Sequence, residues 1–190
     1  MININKLVIV FQNFKNVFLI KIGFKKRYSK TQIKKLKSLD VLIISPGGVG
    51  TTVLMDHISN FKKTNDKDNL DGLKHKNKPY NEKIDSLKII YIFGNYKSIY
   101  KSLKRREYFQ TQMLYFESIL GTLSSKSITL NQFKKLVITH KKNWMEVANL
   151  DILFIDYDDL FESKIEIKNF LNISDNRFLL NFPIRKTRLT

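Results

Sequence analysis

The chain has 190 residues, enough for one globular core and too few for two full domains. It contains no cysteine, which excludes disulfides, thiolate metal sites and cysteine nucleophiles. Lys and Arg number 34 against 17 Asp and Glu, a formal charge of +17 that favours a polyanionic partner: a phosphorylated cofactor, a nucleic acid or an anionic membrane surface.

Lys, Asn and Ile are abundant along the whole chain, so part of the charge follows from composition alone. The basic residues do not interleave with aromatics as in a recognition motif for RNA or DNA, so nucleic acid is not an expected partner. Residues 6–27 are rich in apolar side chains, but Gln12, Asn13, Lys15, Asn16 and Lys21 interrupt them before a membrane-spanning length is reached. No small-residue cleavage site follows. Leu7, Val10, Phe11, Phe14, Val17 and Phe18 keep helical spacing ahead of Lys25, Lys26 and Arg27. That fits either a core-packing element or a helix lying on a membrane surface. The expectation is a cytoplasmic protein, with peripheral membrane contact through residues 6–27 left open.

Residues 28–39 read as a short helix or a connector, and residues 1–39 together as an extension to a domain spanning 40–190. The apolar run 41–44, bounded by Asp40 and a Pro-Gly-Gly turn, predicts a buried strand. Val53, Leu54, Ile58 and Phe61 then recur at helical spacing from Thr51. Residues 62–86 are polar and turn-rich, a connection long enough to face a substrate. A second buried strand is predicted at 88–93, followed by a helix carrying Tyr96, Ile99, Tyr100 and Leu103 on one face. Helices at 109–120 and 131–148, a strand at 151–157 and a helix at 164–171 complete the pattern before a basic tail. Strands separated by helices predict an α/β fold with a parallel sheet.

The stretch 46-PGGVGTT-52 carries the chemistry. Gly47, Gly48 and Gly50 allow successive backbone N–H groups to turn inward at the positive end of a helix, which makes an anion site. Against the pattern G-x-x-x-x-G-K-[ST] of triphosphate-binding loops, Ser45 replaces the first glycine and Thr51 the lysine, while Thr52 keeps the hydroxyl. The loop therefore lacks its own cation. Among the histidines, His75 lies in the polar connection, whereas His57 and His140 fall on helices where packing is the ordinary explanation. These three do not have a metal-ligand spacing, and 66-DKDNLDG-72 lacks the ligand positions of a calcium loop, so no metal is expected.

At this point the chain resembles the cytosolic-type sulfotransferases, which transfer a sulfuryl group from 3'-phosphoadenosine 5'-phosphosulfate to an acceptor. Their strand, Pro-Lys-Ser-Gly-Thr-Thr turn and helix are similar to 46-PGGVGTT-52 with one extra residue and without the lysine. Their Arg-Asn-Pro-x-Asp motif and following serine are similar to 89-IIYIFGNYKSIYKS-102, where Asn95 and Ser102 fall in step and Gly94 stands for the arginine. The turn 157-YDDL-160 and 170-FLNI-173 resemble the late structural elements of the family, and 185-RK-186 resembles the start of its closing Arg-Lys-Gly loop. The segment 73-LKHKNKP-79 lies where many members carry Lys-Thr-His-x-Pro.

The resemblance implies a P-loop-type three-layer fold, a central and mainly parallel sheet flanked by helices. It implies that Gly47, Gly48, Val49, Gly50, Thr51 and Thr52 hold the 5'-phosphosulfate and that Ser102, Arg105, Arg106, Arg185 and Lys186 surround the 3'-phosphate. It also implies His75 as base and Lys74 as the substitute cation, acting on a hydroxyl or amine acceptor. Two rival readings stand beside it: a P-loop kinase or nucleotide hydrolase using magnesium and Asp156, and a non-catalytic nucleotide-binding protein of the same fold.

Overall fold

The computed structural model describes residues 28–80, 84, 86–120 and 128–185. The segment 6–27, considered for membrane contact, and Lys186 lie outside the described residues. The elements in chain order are α1 (Lys30–Leu36), β1 (Val41–Ile44), α2 (Thr51–Ile58), β2 (Lys88–Phe93) and α3 (Tyr96–Arg105). They continue with α4 (Phe109–Leu120), α5 (Leu130–Met145), β3 (Ile152–Asp156), α6 (Lys164–Phe170) and α7 (Arg177–Leu180). Each predicted strand is present within a residue or two. The helix expected over 131–148 ends at Met145, with the Glu146 amide bonded back to Lys142.

The strands form one parallel sheet in the order β1-β2-β3. Register aligns Ile43 with Ile90 and Ile90 with Leu153, so side chains of one parity share a face across all three strands. One face packs Val41, Ile43, Ile90, Ile92 and Ile155 against buried residues of α2 to α7. The other packs Leu42, Ile44, Ile89 and Tyr91 against Leu36, Leu73, Tyr80 and Trp144. Burial on both faces explains why β1 reads as four consecutive apolar residues rather than an alternation. Leu36 and Leu39, which fall within the segment read from sequence as an extension, belong to this second core layer.

What positions the site is the long connection after α2. Thr64 makes a parallel bridge to Val41, and the Asn65 carboxamide accepts from Ile43 N–H (2.8 Å) and donates to Ile43 C=O (3.0 Å), serving the free edge of β1 as a strand would. Further on, the Ser45 amide donates to Lys74 C=O (3.1 Å). From the opposite side, Trp144 Nε1 donates to Lys76 C=O and Asn143 Nδ2 to Asn77 C=O, each at 2.9 Å. α1 joins in through a Ser29/Gln32 capping box whose Gln32 also donates to Asp71 C=O (2.9 Å). The connection is irregular, yet tied at several points to the sheet and helices. Its residues 74 and 75 are thereby fixed beside the end of β1.

Candidate anion site at the carboxyl edge of the sheet

The turns that follow the three strands, at Gly47–Gly50, Gly94–Asn95 and Tyr157–Asp158, all line one cavity of about 1510 Å³. This is the carboxyl edge of a parallel sheet, where ligands of open α/β folds sit. Gly47, Gly48 and Gly50 have φ of +90°, +74° and +67°, in the left-handed region where a side chain is strained. Space is short as well: a Cβ on Gly50 would stand 2.7 Å from the Tyr157 ring, and one on Gly47 2.8 Å from Gln112 Oε1.

That conformation leaves donors unused. The Gly47 amide donates to Ser45 Oγ (3.2 Å), but the amides of Gly48, Val49, Gly50, Thr51 and Thr52 bond to no acceptor among the described residues. α2 starts at Thr51 with Gly50 as its N-cap, so no side chain serves those first amides. Backbone dipoles and unpaired N–H groups therefore coincide at the cavity wall, a fit for an oxyanion.

The two threonines separate. Thr51 is 4% exposed and its hydroxyl donates inward to Ser45 Oγ (2.7 Å), so it braces the loop and offers a ligand its amide rather than its hydroxyl. Thr52 is exposed, and its Oγ1 accepts from Lys74 Nζ at 2.7 Å. The Lys74 ammonium also donates to Lys67 C=O (2.6 Å). Lys74 is 6% exposed, and burial pulls its pKa down to about 8 despite the opposing pull of nearby Asp68 and Asp66. A cation thus stands at the first turn of α2, although the loop sequence has none.

His75 is half-buried, with its ring Nδ1 2.9 Å from Ser45 C=O. A carbonyl can only accept, so Nδ1 carries the proton and the neutral ring keeps its lone pair on Nε2. Burial, then the neighbouring Lys74 charge, pushes the His75 pKa down to about 3. The other two histidines serve packing. His57 Nε2 bonds Phe178 C=O (2.9 Å) among Phe61, Phe178 and Phe182, and His140 Nδ1 meets the Tyr91 hydroxyl (2.6 Å) beneath the sheet. Among the described residues no group of three or more His, Asp or Glu side chains is placed to hold a metal ion.

Ser102 and Arg106 pair as one unit: Arg106 Nη2 donates to Ser102 Oγ (3.0 Å) and its Nε to Ser102 C=O (3.2 Å). Ser102, Arg105 and Arg106 all belong to the cavity wall, at the C-terminal end of α3. Arg185 does not line the cavity. It pairs with Asp158 (3.0 Å) and lies over the Tyr157 ring (5.6 Å), both of which do. Sequence reasoning missed Asn69, Gln112 and Tyr115, which complete the wall near His75: Asn69 Nδ2 donates to the Tyr115 hydroxyl (2.8 Å), and its Oδ1 accepts from the Lys74 amide (2.9 Å). No spacing marks these residues in the chain, because they meet only through the fold.

Comparison of the chain with protein-family models, with curated proteins and with solved structures finds no match.

Proposed function

We propose that this protein binds 3'-phosphoadenosine 5'-phosphosulfate and transfers its sulfuryl group to a hydroxyl or amine acceptor, on a P-loop-type fold. The observation that carries the reading is the Lys74 ammonium seated 2.7 Å from Thr52 Oγ1, where the loop itself has no cation. The amides from Gly48 to Thr52 hold the 5'-phosphosulfate, and Ser102 with Arg106, assisted by Arg105, receives the 3'-phosphate. As the acceptor oxygen or nitrogen bonds to sulfur, the bond between sulfur and the bridging oxygen breaks and its electron pair leaves on the 5'-phosphate. Lys74 stabilises that developing charge. The acceptor proton passes to Nε2 of His75, whose basicity rises once an anion fills the cavity and offsets the burial that holds its pKa low.

The magnesium-dependent reading needs a carboxylate at a strand end. Asp156 holds that place, but its Oδ1 accepts from the Asp158 amide (3.1 Å) in the turn after β3, and it is not part of the cavity wall. Thermal-shift titration separates the readings. 3'-phosphoadenosine 5'-phosphate should stabilise the protein by about 2.7 kcal/mol at 100 times its Kd. ATP with magnesium stabilising more than this bisphosphate would defeat the proposal. Tight binding with no transfer to any acceptor would leave a nucleotide-binding protein without chemistry.

A further inference from the structure

Gln112, on α4, forms part of the cavity wall and is 5% exposed. Its Nε2 is buried and has no hydrogen-bond partner among the described residues. The carboxamide lies directly across the glycine loop: Oε1, Cδ and Nε2 stand 2.8, 2.9 and 3.4 Å from where a Cβ on Gly47 would be. Only glycine at 47 leaves room for it there. A buried amide donor without an acceptor costs about 1–3 kcal/mol, and no described residue supplies one to Gln112 Nε2. Beside it lie the equally unpartnered amides of Gly48 to Thr52. A side-chain donor from α4 and backbone donors from the start of α2 thus meet, unused, at one loop.

We propose that Gln112 is the side-chain ligand of this anion site, its Nε2–H bonding a non-bridging oxygen of a phosphate- or sulfate-class oxyanion whose other oxygens rest on the loop amides. The proposal rests on reading the loop as an anion site and is independent of sulfuryl transfer. It accounts for a buried amide donor that no described residue satisfies, held against a glycine whose added Cβ would displace it.

The test uses the full chain, inorganic pyrophosphate and sulfate as probes, and calorimetric titration of the wild type, Gln112→Leu and Gln112→Glu. Gln112→Leu should bind pyrophosphate at least about tenfold more weakly, the loss expected for one hydrogen bond to a charged group. Its ligand-free unfolding temperature should equal or exceed that of the wild type, because the unpaired buried amide is gone. Gln112→Glu keeps the shape and places a negative charge at the loop, so it should weaken binding further. Wild-type pyrophosphate affinity in folded variants, or no pyrophosphate binding by the wild type, would overturn the proposal. So would a ligand-free protein destabilised by both substitutions, which would make Gln112 a packing residue. Should Gln112→Leu fail to fold, Gln112→Glu decides alone. Pyrophosphate binding that depends on Gln112, combined with no preference for the 3'-phosphate, would count against the sulfate donor and leave this assignment standing.

Discussion

Replacing Lys74 with Met keeps most of the aliphatic stem and removes the buried charge. Burial holds the ammonium's pKa at about 8, against an ordinary 10.5. At about 1.4 kcal/mol per pH unit, keeping that proton in the folded protein costs about 3 kcal/mol. The sign follows from proton counts. Below pH 8 folded and unfolded chains both carry the charge and the folded state bears the full cost. Between pH 8 and 10.5 the folded chain sheds the proton while the unfolded chain keeps it, so this group's contribution to stability rises with pH. Lys74→Met should therefore stabilise the ligand-free protein by about 1–3 kcal/mol at pH 7, the lower figure allowing for the lost bonds to Thr52 and Lys67. Because the wild type recovers about 3 kcal/mol as pH rises to 10.5, the advantage should vanish within that range and, where it starts near 1 kcal/mol, reverse. Urea unfolding of both proteins from pH 7 to 10.5 measures it. Tyr28 and Tyr91, whose burial raises their pKa values and lowers stability at the alkaline end, are present in both and cancel in the difference. A stability difference that stays constant across this range would refute the reasoning. Anion affinity should move the opposite way, falling as pH rises through 8 in the wild type and showing no such fall in Lys74→Met.

On a working acceptor, Lys74→Ala should lower turnover by about 10²–10³, the loss of one donor to a developing oxyanion, with a smaller effect on nucleotide affinity in equilibrium binding. Gly50→Ala combines a φ of +67° with a Cβ 2.7 Å from the Tyr157 ring, so it should destabilise the fold by about 2 kcal/mol or more in denaturant unfolding. Arg106→Gln should reduce the preference for the 3'-phosphorylated nucleotide over adenosine 5'-phosphate, read by competition binding; an unchanged ratio would remove the Ser102–Arg106 pair from that role.

The strands were legible because burial on both faces writes continuous apolar runs such as 41–44 and 89–93, and the turn after β1 because three glycines beside a proline interrupt both strand and helix. Only the resemblance to a family motif singled out Lys74 and His75, and their place at the cavity wall depends on contacts across the fold: Ser45 to Lys74, and Trp144 to Lys76, 68 positions apart. The division of labour between the threonines was not legible. Adjacent hydroxyls at a helix start look alike in sequence, and only the presence of Ser45 Oγ on the inner side turns Thr51 away from a ligand. Gln112 carries no signal at all, because a polar residue on an amphipathic helix ordinarily faces water.

The absent loop lysine has a structural consequence. A lysine within the loop would move with the loop, whereas Lys74 arrives on a separate segment that Asn65 and Ser45 tie to β1 and that Asn143 and Trp144 tie to α5. Cation and amides are therefore held by different anchors, and their spacing depends on the packing between the sheet and α5. Asn65→Leu removes two buried hydrogen bonds to Ile43 without touching the cavity wall. It leaves that strand edge unpaired at a cost of about 2–4 kcal/mol and loosens the segment that carries Lys74. If the anchors act independently, the variant should weaken anion binding at pH 7 while changing its pH dependence, because a displaced Lys74 regains water and a higher pKa. Retention of the wild-type pH profile in a folded Asn65→Leu would mean that the hold from α5 alone suffices to place the cation.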